Sequence, residues 1–279
     1  MLPAVQHHEY LIVRKLINNF ILALYRKRWV ILELAKRDFQ RQYQGSYLGF
    51  VWMFLQPLLF ISVLFMVFTL GFRVGKSGDI PFGVYLITGI ICWQYFSQNL
   101  GAMTRVIQEH VFLVKKVDFS LSVLPVVKLM SSLVPHLFLV IVSIGFAWQQ
   151  GYGPTVYTLQ VAYYLLATAS LLLGLGWLTS STNIFVKDVA NVVKVITQFG
   201  FWLTPIFWNI QMVPEQYRWI INLNPAVYLV NGYRDSIVYQ IPFWDKPWDT
   251  VYYWCITLLF LYAGVHVYRK LRPHFAEVV

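Results

Sequence analysis

The chain has 279 residues, 58% of them apolar and only 12% charged, against roughly 45–50% and 25% in soluble globular domains; its mean hydropathy is +0.57. An ordinary water-soluble enzyme is excluded. The formal net charge is +10, from 22 Lys and Arg against 12 Asp and Glu, and on so lipid-soluble a chain a basic excess faces the cytoplasmic leaflet rather than nucleic acid.

Residues 1–48 read as cytoplasmic helices lying in the membrane plane. In Leu11 to Leu24, Arg14, Lys15, Asn18 and Asn19 share one helical face, while Ile12, Val13, Leu16, Ile17, Phe20 and Leu24 make the other. These polar residues also argue against a cleavable signal. Trp29 to Arg41 repeats the pattern, with Glu33, Lys36, Arg37 and Gln40 opposite Leu32, Ala35 and Phe39. A seventh span here is the weaker reading, because so many charges are costly in hydrocarbon.

Six stretches then qualify as membrane spans: 49–72, 84–100, 124–148, 159–181, 192–210 and 251–268. The expected fold is an all-α polytopic membrane protein with six transmembrane helices. The second span ends in the polar run Gln94 to Asn99, which must meet an interface or protein rather than lipid. An even number of spans puts both termini on one side. That side collects 17 of the 22 Lys and Arg and seven of the 12 acids, hence the whole +10; the other side balances five against five. By the positive-inside rule both termini are cytoplasmic, as is the tail 269–279. Residues 211–240 are too apolar for a loop and too polar for a span. They read as a pair of short re-entrant helices started near Pro214 and Pro225, and an outer gate is expected there.

Some possible signals dissolve on inspection. Gly71 to Ser77 is one residue short of a phosphate-binding loop, with Leu70 where the first glycine should be. Cys92 and Cys255 lie in apolar stretches and read as buried free thiols. His136, inside the third span, reads as a helix–helix hydrogen bond rather than an acid–base residue.

The strong signal runs from Lys36 to Leu58: a basic amphipathic helix with Arg37, Asp38, Arg41 and Tyr43, a turn at Gly45, then Leu48-Gly49, Trp52 and Gln56-Pro57-Leu58. Pro57 is expected to kink the first span and free the carbonyl of Met53. The run resembles the start of the first span in the membrane subunit of ATP-binding-cassette polysaccharide exporters of the O-antigen and teichoic-acid type. Glu109 to Phe119 followed by Leu124-Pro125 is similar to the family's cytoplasmic helix, with His110 for its usual Asn and Ser120 for its usual Pro. Asn183-Ile184-Phe185-Val186-Lys187-Asp188-Val189 resembles the segment between spans four and five. Thr204 to Trp208 and Asn224-Pro225-Ala226 through Tyr233-Arg234-Asp235 resemble the last pair. The resemblance covers residues 29 to 268.

The resemblance implies a permease that is not itself an enzyme. Two copies would form a pore for an undecaprenyl-linked polysaccharide in a bacterial inner membrane. Two separate ATPase subunits would bind ATP and Mg, with no cofactor or metal on this chain. Residues 105–118 become the coupling helix that docks on the ATPase, through Glu109, His110, Phe112, Leu113, Lys115 and Lys116; a basic loop on anionic lipid is the alternative. Arg37, Arg41 and Tyr43 become candidates for the lipid-carrier phosphate, or else snorkelling anchors. Phe50, Trp52, Phe54, Phe201 and Trp202 become channel aromatics, against core or lipid-belt packing. Pro225, Tyr233, Arg234 and Asp235 belong to the outer gate. Export of capsule or teichoic acid is the near rival. A membrane-embedded glycosyl- or acyltransferase, or a passive channel, are rivals of another class.

Overall fold

The computed structural model describes residues 26–43, 48–114 and 121–278. The helix expected at 11–24, Lys115 and Lys116, and the side chains of Tyr43 and Leu113 lie outside the described residues. The described chain is helical apart from one short hairpin. Helix α1 is Arg28–Tyr43. Helix α2, Gly49–Met66, has Pro57 inside it and ends in a wider π turn, Val67–Gly71. Strands β1 (Lys76–Ser77) and β2 (Ile80–Pro81) pair antiparallel. There follow α3, Phe82–Glu109; α4, Val111–Val114; α5, Leu124–Gln149; α6, Gln160–Phe185; α7, Asp188–Leu203; α8, Glu215–Asn222; α9, Pro225–Arg234; α10, Pro247–Leu271; and α11, Phe275–Val278.

Among the described residues, four helical segments are long and apolar enough to cross a membrane: Gly49–Gly71, Leu121–Gln149, Val156–Phe185 and Pro247–His274. They correspond to the first, third, fourth and sixth expected spans. The other two differ for separate reasons. Helix α3 is long but too polar for that set, since Thr88, Gln94, Asn99 and Thr104 stand within it. It also does not stop at residue 100 but continues to Glu109, absorbing the first part of the helix expected at 105–118. Its polar side chains do not break it because they bond backward or sideways. Asn99 Nδ2 donates to Tyr95 O at 2.8 Å, and Thr104 Oγ1 to Leu100 O at 2.8 Å, with Thr179 Oγ1 of α6 3.0 Å away. Helix α7 ends at Leu203, not at residue 210, because Pro205 follows and cannot continue a helix.

Helix α3 is the centre of the bundle, buried along most of its length against α5, α6, α7 and α9. The α6–α10 pair is equally intimate. A Cβ on Gly174 would fall 2.6 Å from the Leu261 nitrogen, and one on Gly264 would strike the Gly174 carbonyl, so the two backbones meet through glycine. The buried stripe of α10 is Tyr253, Thr257, Gly264 and Tyr268. Cys255 lies off this stripe and is exposed, contrary to expectation, whereas Cys92 of α3 is buried as expected.

Gly264→Val should lower the thermal midpoint of the detergent-purified protein by several degrees, since overpacking a close crossing costs about 1–3 kcal/mol. Gly145→Val, with open space at its Cβ, should shift it little. Equal shifts measured by dye-monitored melting would refute the crossing.

Candidate functional site

One side of the bundle is hollowed by a cleft of about 630 Å³ between α2, α3, α5 and α7. Each helix contributes a face at helical spacing: Trp52, Gln56 and Phe60 from α2; Trp93, Gln94, Ser97 and Gln98 from α3; Ser132, Pro135, His136 and Leu139 from α5; Lys194, Thr197, Gln198, Phe201 and Trp202 from α7. Rings and amides alternate around it, and among the described residues no carboxylate lines it. Volume and composition suit a small segment of an amphiphilic ligand.

Of the five aromatics singled out by sequence, the structure brings Trp52, Phe201 and Trp202 to this cleft, and the last two meet edge to face with centroids 5.4 Å apart. Phe50 and Phe54 stand two residues either side of Trp52, so they project from another face of α2. Phe54 packs at 4.3 Å against Phe138 of α5, and Phe50 lies 5.2 Å from Phe54 and 6.2 Å from Phe39 of α1. They fasten helices together and do not line the cleft. Trp93 and the amides were not singled out. On α7 their signal was present as Lys194, Thr197, Gln198, Phe201 and Trp202, a mixed polar and aromatic stripe at i, i+3, i+4, i+7 and i+8.

At one end of the cleft's helices two tethers leave neighbouring residues of α3. The first is a reciprocal amide pair: Gln108 Nε2 donates to Asn183 O and Asn183 Nδ2 to Gln108 Oε1, both at 2.9 Å. Asn183 Oδ1 also accepts the Ala190 N–H in the first turn of α7 at 3.1 Å. The second is ionic: Lys128 Nζ of α5 lies 2.9 Å from Glu109 Oε2 and 2.6 Å from Asp38 Oδ1 of α1, whose Oδ2 accepts from Ser131 Oγ at 2.8 Å. Lys128 and Asp38 are both buried. The buried face of α1 is therefore Ile31, Ala35 and Asp38, set against Val127 of α5 and Val123 just before it, and the expected stripe of Leu32, Ala35 and Phe39 is turned around the helix. Leu32 is exposed and an acid takes its place, because Lys128 is there to meet it.

Glu109 thus points to Lys128, while His110 closes α3 with its Nδ1 2.9 Å from Val106 O. Phe112, in α4, is exposed. Arg37 pairs along its own helix with Glu33 at 2.9 Å, and both Arg37 and Arg41 are exposed.

The residues assigned to an outer gate are packed away from the cleft. Pro225 opens α9 behind Asn224, whose Oδ1 caps Ala226 N–H at 3.0 Å. Tyr233 Oη lies 2.8 Å from His136 Nε2, the helix–helix bond expected of that histidine. Arg234 is 1% exposed. It donates from Nη2 to Ile206 O at 2.8 Å and lies over the Tyr85 ring at 3.6 Å. Tyr85 Oη in turn donates to Trp208 O at 2.8 Å. Together they satisfy the non-helical backbone that follows α7, as such backbone requires when water is excluded. Asp235 pairs with Lys246.

The fold and the cleft define a helical membrane protein with a recess lined by rings and amides and, among the described residues, no carboxylate pair. The chain belongs to the ABC-2 type transporter family, which matches residues 30–238. It is 26% identical over 252 residues to an O-antigen export system permease protein RfbA of Klebsiella pneumoniae, covering 90% of this chain and 95% of that protein. To the protein of the same name in Myxococcus xanthus it is 25% identical over 264 residues, covering 94% and 99%. To the polysialic acid transport protein KpsM of Escherichia coli it is 24% identical over 248 residues, covering 85% and 91%.

Lys128→Met strands Asp38 in a buried site, which costs about 3 kcal/mol when one partner of such a pair is lost. Trypsin should then cut α1 at Lys36 and Arg37 at least tenfold faster, and Asp38→Leu added to it should restore most of the protection. Unchanged cleavage in the single variant would remove the ionic tether from the account.

Proposed function

We propose that this chain is the permease of an ATP-driven exporter that carries an undecaprenyl-linked O-antigen polysaccharide across a bacterial inner membrane. Two copies form the channel, and two copies of a separate ATPase subunit, which bind ATP and Mg, drive it. The carrying observation is the cleft. Sugar rings have apolar C–H faces and polar edges, and a surface of Trp52, Trp93 and Trp202 interleaved with Gln56, Gln94 and Gln198 offers both without fixing one register. The relatives named for O-antigen export support the same reading. Six spans, with α3 and α7 serving as the second and fifth and α8–α9 as re-entrant helices, complete the topology, and the distribution of basic residues supports cytoplasmic termini.

In this reading α4 and the end of α3 receive the ATPase. A displacement there is carried through Gln108 to Asn183 and α7, and through Glu109 to Lys128 and α1. The likeness to KpsM supports capsule export as the second reading. A lipid-carrier transferase is disfavoured because the buried acids Asp38 and Asp235 are each engaged by lysine and none reaches the cleft.

Co-expression with a cognate ATPase should yield an equimolar complex on affinity purification. A functional complex without any ATPase would sink the exporter reading. Trp52→Ala with Trp202→Ala should cut surface polysaccharide about tenfold, each stacking contact contributing on the order of 0.5–1.5 kcal/mol, at unchanged protein level and ATPase binding. Phe50→Leu should leave export near wild type.

A further inference from the structure

We propose that Lys194 reads negative charge on the substrate, so that the cleft is a subsite for a polyhydroxylated chain bearing an oxyanion. The inference rests on the exporter reading and adds the charge class of the cargo. Among the described residues Lys194 is the one Lys or Arg lining the cleft, and no Asp or Glu lines it. Its ammonium has no ion pair or hydrogen bond among the described residues, in contrast to Lys128 and Lys246, which are both held by carboxylates. A lysine on an apolar helix calls for an anion, or for an upward reach to the interface. The groups facing it are donors and acceptors of hydrogen bonds: Thr197 and Gln198 on its own helix, Gln94 and Gln98 on α3, Ser132 on α5 and Gln56 on α2.

A second observation lies on α3, the helix packed beside α7. Gln94 Oε1 is buried and has no hydrogen-bond partner. An acceptor left in that state costs about 1–3 kcal/mol, a cost removed when a hydroxyl donates to it. An acceptor short of a donor and a cation short of an anion on neighbouring helices of one cleft describe one ligand, with hydroxyl groups beside a phosphoryl or carboxylate group. That oxyanion has two sources: the diphosphate that joins a glycan to its lipid carrier, or an acidic sugar within the repeat.

The test uses the permease with its ATPase in nanodiscs and three fluorescent probes: a neutral oligosaccharide, the same oligosaccharide on a short polyprenyl diphosphate, and a uronate-containing oligosaccharide. Lys194→Gln should weaken binding of one or both anionic probes about tenfold, the value of one charge-assisted contact, and leave the neutral probe unchanged. Lys194→Arg should restore it. Loss confined to the diphosphate probe assigns the charge to the carrier linkage, loss confined to the uronate probe to the repeat, and loss of both to oxyanions in general. Gln94→Leu should weaken all three probes several-fold. Unchanged anionic binding in Lys194→Gln, or an equal fall for the neutral probe, overturns the role of Lys194 and leaves the exporter reading standing. Failure of the wild-type complex to bind any probe overturns both.

Discussion

Polar groups in the interior of an apolar bundle have no water to turn to, and α3 is where this constraint acts hardest. Its side chains from Thr88 to Glu109 must be satisfied by backbone carbonyls or by neighbouring helices. The solutions differ along its length. Thr88 is satisfied internally, by a bond back one turn to Val84, whereas Asn99 both donates back to Tyr95 and accepts from Ser132 Oγ of α5. Farther along, Thr104 reaches α6. At the end they are external throughout, and Gln108 and Glu109 bind two different helices through Asn183 and Lys128. Both tethers leave consecutive residues of α3, so α7 and α1 are joined to the same turn of one helix.

That arrangement explains motifs which sequence could mark but not interpret. Asn183 opens a recognisable string, and its three bonds join α3, the end of α6 and the first turn of α7. Asp38 sits in the middle of the strongest string, yet an amphipathic reading had no place for an acid on the packing face. Its partner Lys128 is 90 residues away, and no local periodicity reveals a pair at that separation. Buried ion pairs gain little net stability over apolar packing. What this one supplies is register, because α1 can dock on α5 in only one rotation that brings Asp38 to Lys128 and Ser131.

The four most apolar spans were legible to within a few residues at most termini because composition alone sets them. The extent of α3 was not, since its polar run reads as an ending when the partners that absorb it are unknown. The aromatics divide on the same ground. Trp52, Phe50 and Phe54 are equivalent in composition, and only the rotation of α2 separates the ring that faces the cleft from the two that hold α1, α2 and α5 together. The glycine crossing of α6 and α10 leaves no periodic trace of its own. By contrast the stripe on α7 could have been read from spacing, and was obscured because its polar members were counted as span residues.

Helix α7 is held in an unusual way. Its first turn is fixed by Asn183 and the backbone after its last turn by Arg234 and Tyr85. Asn224 donates to Thr204 Oγ1 at 2.9 Å and adds a further hold at that end. Between these points Val193 is its one buried residue, and Trp93 seats against Gly200, where a Cβ would fall 2.7 Å from the ring. The rest of this helix is left open to the cleft. Lys194, Gln198 and Trp202 stand on that open face. The tether at its first turn thus links the polar face of α7 to the end of α3.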